Sequence, residues 1–179
     1  MAYRVTFIII LAVFASFHTH AQTSQREYAL KAGLIFNFAL YSQTVNSILA
    51  DNSHYVICSA SKPFIDVARK TLAQKKIRQR DVHVQLIPLL LPDSQSCHII
   101  FFDKQESYAQ YQSSHNNNLK HTLLIGAAPN FIDLGGHINF IRISGKIRFE
   151  INPEQLQASG IKVSSKVIRL GKVKMKSSL

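Results

Sequence analysis

The chain contains no tryptophan, only two cysteines, and ten acidic residues against 21 lysines and arginines. Each shortage excludes something. Without tryptophan, and with no basic-aromatic interleaving, there is no platform for stacking single-stranded bases. With so few acids no carboxylate pair stands out for acid–base work. The glycines fall in neither G-x-G-x-x-G nor G-x-x-x-x-G-K-[ST], so no nucleotide-phosphate loop is written here. No G-x-S-x-G occurs either, which leaves an α/β-hydrolase nucleophile without its setting. The histidines after the leader are His54, His83, His98, His115, His121 and His137, and none pairs with another at helical metal-ligand spacing. These absences predict no catalytic centre, no metal and no cofactor.

A long apolar run occurs once, at the start. Met1-Ala2-Tyr3-Arg4 supplies one positive charge, Val5 to Phe17 is apolar almost without a break, and Thr19-His20-Ala21 places small residues where a signal peptidase reads them. A membrane-spanning helix needs about 20 apolar residues, and this run is shorter. The pattern predicts a signal peptide over 1–21, cleavage after Ala21, export to the periplasm, and one folded domain over 22–179. A chain of that size can bury about 70% of its unfolded surface. Without Arg4 it still carries 20 basic against 10 acidic residues. Export argues against a nucleic-acid partner. Anionic envelope surfaces or an acidic protein fit the charge, as does a role in solubility alone.

Cys58 and Cys97 both follow the leader, and an isolated pair in an oxidising compartment usually closes. Each adjoins a strand-like run, Tyr55-Val56-Ile57-Cys58 and His98 to Phe102. The pair can be a permanent staple, a redox-sensitive switch or two free thiols, and spacing alone does not choose.

Ser24-Gln25-Arg26-Glu27 has capping-box spacing, and the helix from Tyr28 to Tyr41 is apolar nearly all round. Such a helix is either buried on most sides or covered by another subunit. Phe36 and Leu40 are therefore candidate dimer or partner contacts. Strands are predicted at His54–Ala60, Val82–Ile87, His98–Phe102 and Leu119–Ile125. Helices at Pro63–Ala73 and Asp103–Ser114 alternate with them, with a basic solvated turn at Lys75–Asp81 and loops at Pro92–Ser96 and Asn116–Asn118. That alternation predicts an α/β fold with a mostly parallel central sheet and helices on both faces. His137–Ile143 and Lys146–Asn152 flank Ser144-Gly145 as a hairpin that sets Phe140 opposite Phe149. Asn152-Pro153 caps a short helix closed by Gly160, and Ser164 opens a last helix reaching about Met175. Its cations, among them Lys166, Arg169 and Lys172, are the second group of candidate partner contacts.

Several segments together resemble the YfiR-like family. They are Tyr28-Ala29-Leu30-Lys31-Ala32 with Ile35-Phe36-Asn37-Phe38-Ala39, then Ile57-Cys58 with Cys97-His98-Ile99-Ile100-Phe101. The third and most specific runs from Phe131 through Gly135-Gly136 and Lys146-Ile147-Arg148-Phe149-Glu150-Ile151-Asn152 to Leu170. The resemblance implies a periplasmic Rossmann-like domain that binds the sensor portion of an inner-membrane diguanylate cyclase and represses it, lowering cyclic di-GMP and biofilm. It also implies release by an outer-membrane peptidoglycan-associated lipoprotein, a homodimer, and modulation by the redox state of a disulfide matching Cys58 and Cys97. Two features depart from the pattern. The Trp-Pro after the opening helix is replaced by Ser42-Gln43-Thr44-Val45, and a second cysteine pair found in some members is missing. The competing reading is a small-ligand or envelope-binding module working with another membrane sensor, such as a receptor kinase.

Overall fold

The computed structural model describes residues 24–44, 53–88, 97–114 and 121–175. The signal peptide expected over 1–21 and the loops expected at Pro92–Ser96 and Asn116–Asn118 lie outside the described residues. Helix α1 covers 24–40. It is followed by β1 (Ser42–Thr44), β2 (His54–Ser59), α2 (Lys62–Thr71), β3 (Lys76–Ile77), β4 (Arg80–Leu86) and β5 (Ile99–Phe102). Then come α3 (Gln105–Ser114), β6 (Leu123–Gly126), β7 (Ile138–Ile143), β8 (Lys146–Ile151), α4 (Pro153–Ala158), β9 (Ile161–Val163), α5 (Ser165–Leu170) and β10 (Lys172–Val173).

The large sheet runs β10-β8-β7-β6-β5-β2-β4-β3. Only the β7–β8 hairpin and the β3–β4 pair are antiparallel; the other pairings are parallel. Strand β2 lies between β4 and β5, so the winding reverses there, as in doubly wound Rossmann-like sheets. Successive side chains point to opposite faces, and the four buried residues of β5 show both layers. Ile99 and Phe101 join a core with α1, α2 and α5, while Ile100 and Phe102 join a second core with Tyr108 and Tyr111 of α3. The first core is aromatic at its centre. Phe38 of α1 sits 4.8 Å from Phe149 and 6.0 Å from Phe140, and Phe64 of α2 lies 4.4 Å from Phe101. Each such burial contributes about 1.5–3 kcal/mol.

The hairpin register pairs Phe140 with Phe149, as the alternation predicts. Ser144 and Gly145 both have positive φ, the geometry of a tight two-residue turn. Asn152 caps α4, its side chain accepting from the Gln155 N–H at 3.1 Å, with Pro153 in the first turn.

Three expectations are corrected. Ser24 lies within α1, and the Glu27 carboxylate turns to Lys31 at 2.7 Å and to Arg142 of β7 rather than back to a cap. The basic stretch from Lys75 to Asp81 is not a bare solvated turn. It pairs as β3 with β4, turns at Arg78 and Gln79 with positive φ, and buries Ile77 completely. The last helix stops at Leu170. Gly171 donates back to the carbonyls of Val167 and Ile168, and the chain then pairs with β8 as an edge strand. Glycine is required there because a Cβ would stand 2.4 Å from the Phe149 ring.

Candidate interaction surface

Cys58 on β2 and Cys97 just before β5 are joined as a disulfide, with Cα atoms 5.9 Å apart. Strands β2 and β5 are direct neighbours, which is what brings two residues 39 apart into range. Both residues are wholly buried on the α3 side, packed with Ile87, Ile100 and Leu124. A thiolate cannot reach either sulfur without the sheet opening, so the bond's surroundings suit a staple.

The structure also brings a serine and a histidine into contact. His137 Nε2 is 2.8 Å from Ser159 Oγ, and the pair invites a nucleophile-and-base reading. The other ring nitrogen rules it out. His137 Nδ1 accepts the Leu124 N–H at 3.0 Å, so the ring proton stays on Nε2 and is donated to Ser159. A nitrogen already carrying a proton cannot take the serine's. Burial holds the imidazole at a pKa of about 3, leaving it neutral. His98 repeats the arrangement. Its Nδ1 accepts the Val56 N–H at 3.1 Å, its ring stacks on Tyr55, and burial with the nearby Arg80 charge lowers it to about 4. Both histidines fasten strands. Among the described residues no group of three or more His, Cys, Asp or Glu gathers where it could hold a metal.

Doubly wound sheets take ligands in the crevice beyond the strand ends where the winding reverses, here the ends of β2 and β5. Among the described residues, polar groups at this end bond one another. Asp103 Oδ2 accepts from Ser61 Oγ at 2.5 Å and from the Tyr28 hydroxyl of α1 at 3.2 Å. Ser59 Oγ donates to the Phe101 carbonyl at 2.7 Å. Burial, then the Asp103 charge, raises the Tyr28 pKa. An open groove of about 770 Å³ runs between α1 and α2, with Arg26, Lys62, Asp66 and Lys70 on its walls.

The sequence-predicted contact residues divide. Phe36 is half-buried against the first core and presents little surface. Leu40 is exposed at the end of α1. That end is carried to α5 by an unexpected two-stranded sheet, in which β1 pairs antiparallel with β9 and the Tyr41 carbonyl accepts the Ser164 N–H at 2.9 Å. Ser164 Oγ accepts the Lys166 N–H, so α5 begins where α1 ends. Lys166 and Arg169 are exposed on α5, beside Leu170 at 77% exposure. Lys172 instead lies on β10, 3.8 Å from Glu150. The β1–β9 pairing thus carries the end of α1 that bears Leu40 toward the start of α5, which bears Lys166 and Arg169, and Phe36 lies one helical turn before Leu40.

Sequence reasoning missed what three elements build together there. Between α4, β9 and α5 lies a groove of about 380 Å³, lined by Pro153, Leu156, Ile161, Val163 and Ile168 with Lys162 and Gln157 beside them. No local periodicity marks it. It also missed the Tyr28–Asp103 contact, which spans 75 residues.

The described residues thus form a stapled α/β sheet with two histidines in structural roles and an end that is basic and partly apolar. The chain belongs to the YfiR/HmsC-like family, whose model matches residues 28–172. That family is one of regulatory proteins, periplasmic and associated with diguanylate cyclase control. Among the described residues no helix is long and apolar enough to cross a membrane. No curated protein matches the chain. Among solved structures it is similar to an ABC domain in complex with L-Trp from Streptococcus pneumonia, at 13% identity and a TM-score of 0.47. That alignment covers 68% of this chain and spans 55% of the other chain's length.

Proposed function

We propose that this chain is exported to the periplasm, loses residues 1–21, and folds over 22–179 into a regulator that binds the sensor portion of an inner-membrane diguanylate cyclase. Binding holds the cyclase inactive, which lowers cyclic di-GMP and biofilm formation. The observation that carries this reading is the family match across 28–172, which takes in nearly every segment after the leader. The buried disulfide agrees with an oxidising compartment. The regulator is a homodimer, and an outer-membrane peptidoglycan-associated lipoprotein relieves repression by sequestering it. The staple does not need to move for this to work; Phe36, Leu40, Lys166, Arg169 and Lys172 make the contacts. Deleting the gene tests the reading. Cyclic di-GMP and biofilm are expected to rise, and unchanged levels in a strain that normally expresses the protein refute it.

A second reading draws on the open groove between α1 and α2, whose mixed charges suit a small zwitterionic ligand. Thermal-shift measurements with amino acids, nucleotides and peptidoglycan fragments test it, and stabilisation by none of them removes it.

A further inference from the structure

We propose that the groove between α4 and α5, with the cations of β9 and α5 around it, docks an acidic segment of the sensor and seats one of its apolar side chains. This rests on the regulator reading above and names the surface and the chemistry of its partner.

Charge is the first argument. Lys162, Lys166 and Arg169 are all exposed, and among the described residues none of their side chains has an ion pair or hydrogen bond. The neighbouring Lys172 and Lys174 are different, being held by Glu150 at 3.8 Å and Asp133 at 2.7 Å. From Asn152 to Met175 the only acid is Glu154. Without a counter-charge among the described residues, these three cations on consecutive elements repel one another. An anionic partner removes that repulsion and is steered toward it.

Shape is the second argument. The groove floor is aliphatic, made by Leu156, Ile161, Val163 and Ile168, and its volume of about 380 Å³ accommodates one or two side chains. Leu170 stands almost fully in water next to Arg169. Cations kept only for solubility require neither a hollow beside Lys162 nor an exposed leucine. An apolar pocket with Lys162 on its lining, and with Lys166 and Arg169 on the helix that supplies Ile168, has the parts of an interface anchor and a polar rim. A bilayer surface offers no single projecting side chain to fill such a hollow, so a protein segment fits better than lipid.

The test uses the purified full-length mature protein, the purified periplasmic portion of the cyclase, and binding measured at low and high salt. A triple variant, Lys162→Glu with Lys166→Glu and Arg169→Glu, should weaken binding about a hundredfold and flatten its salt dependence. Gln157→Trp, an exposed position at the groove, should weaken binding about tenfold while leaving the salt dependence intact. Wild-type affinity in both variants, with unchanged melting, overturns this surface and leaves the regulator reading standing. Failure of the wild type to bind the sensor at all refutes that reading, and the surface with it. Phosphatidylglycerol vesicles are the third arm. If the triple variant loses vesicle binding yet holds the sensor as well as wild type does, the face is a lipid contact and the proposal is wrong.

Discussion

Replacing Cys58 and Cys97 together by alanine gives the sharpest prediction about the fold. The bridge closes a separation of 39 residues between adjacent strands of the sheet. Restricting the unfolded chain by a loop of that length is worth about 4 kcal/mol in the chain-entropy model. Alanine avoids leaving a polar group in a site that is wholly buried. For a domain of this size each kcal/mol moves the midpoint by about 2–4 °C, so the double variant should melt about 8–16 °C lower. Calorimetry or circular dichroism on oxidised protein reads this directly. A second arm separates staple from switch. Because both sulfurs lie inside the second core, mild thiols should fail to reduce the native protein until denaturant is added. An unchanged melting temperature refutes the staple, and rapid reduction of the folded protein refutes the burial argument.

Acid should destabilise the protein through its buried histidines. In the folded state His137 is held near 3 and stays neutral, whereas the unfolded imidazole titrates near 6.5, so falling pH feeds protons to the unfolded state alone. Stability is full above about pH 6.5 and should drop by about 1.4 kcal/mol per unit below it from His137, with His98 acting in the same direction. Urea midpoints between about pH 7 and pH 5 check this, and a flat profile contradicts the burial of both rings. Gly136→Ala should cost about 1–3 kcal/mol, since a Cβ there stands 2.0 Å from the buried Phe131 ring. Phe131→Leu in the same chain should recover part of that loss in thermal unfolding; no recovery would mean the ring is not the obstacle.

What the sequence makes legible here is what neighbouring residues decide. Alternation along β8 fixes which residues face the core, Ser144-Gly145 sets the hairpin, and Asn152-Pro153 starts α4. The failures have a common cause in contacts distant along the chain. Ile77 is buried although its neighbours Lys75, Lys76 and Arg78 all read as surface. Its turn uses Arg78 and Gln79 at positive φ, where glycine or asparagine would have signalled it. Gly171 ends α5 because Phe149, from another strand, leaves no room for a side chain. Of the candidate contacts, the cysteine pair and the α5 cations were visible as residues. The link from Leu40 to α5 depends on β1 pairing with β9, and nothing in either short segment announces that. The all-round apolar pattern of α1 leaves open whether Phe36 is buried or covered by a partner; its packing against the core is set by which turn of the helix meets the sheet.

The account stands on a regulator that acts from outside the inner membrane. In a strain lacking the gene, cellular cyclic di-GMP should be restored to its low level by the protein carrying its leader. The same chain started at Gln22, and therefore kept in the cytosol, should leave it high. Equal restoration by both forms, or by neither when both are expressed and folded, would contradict the account.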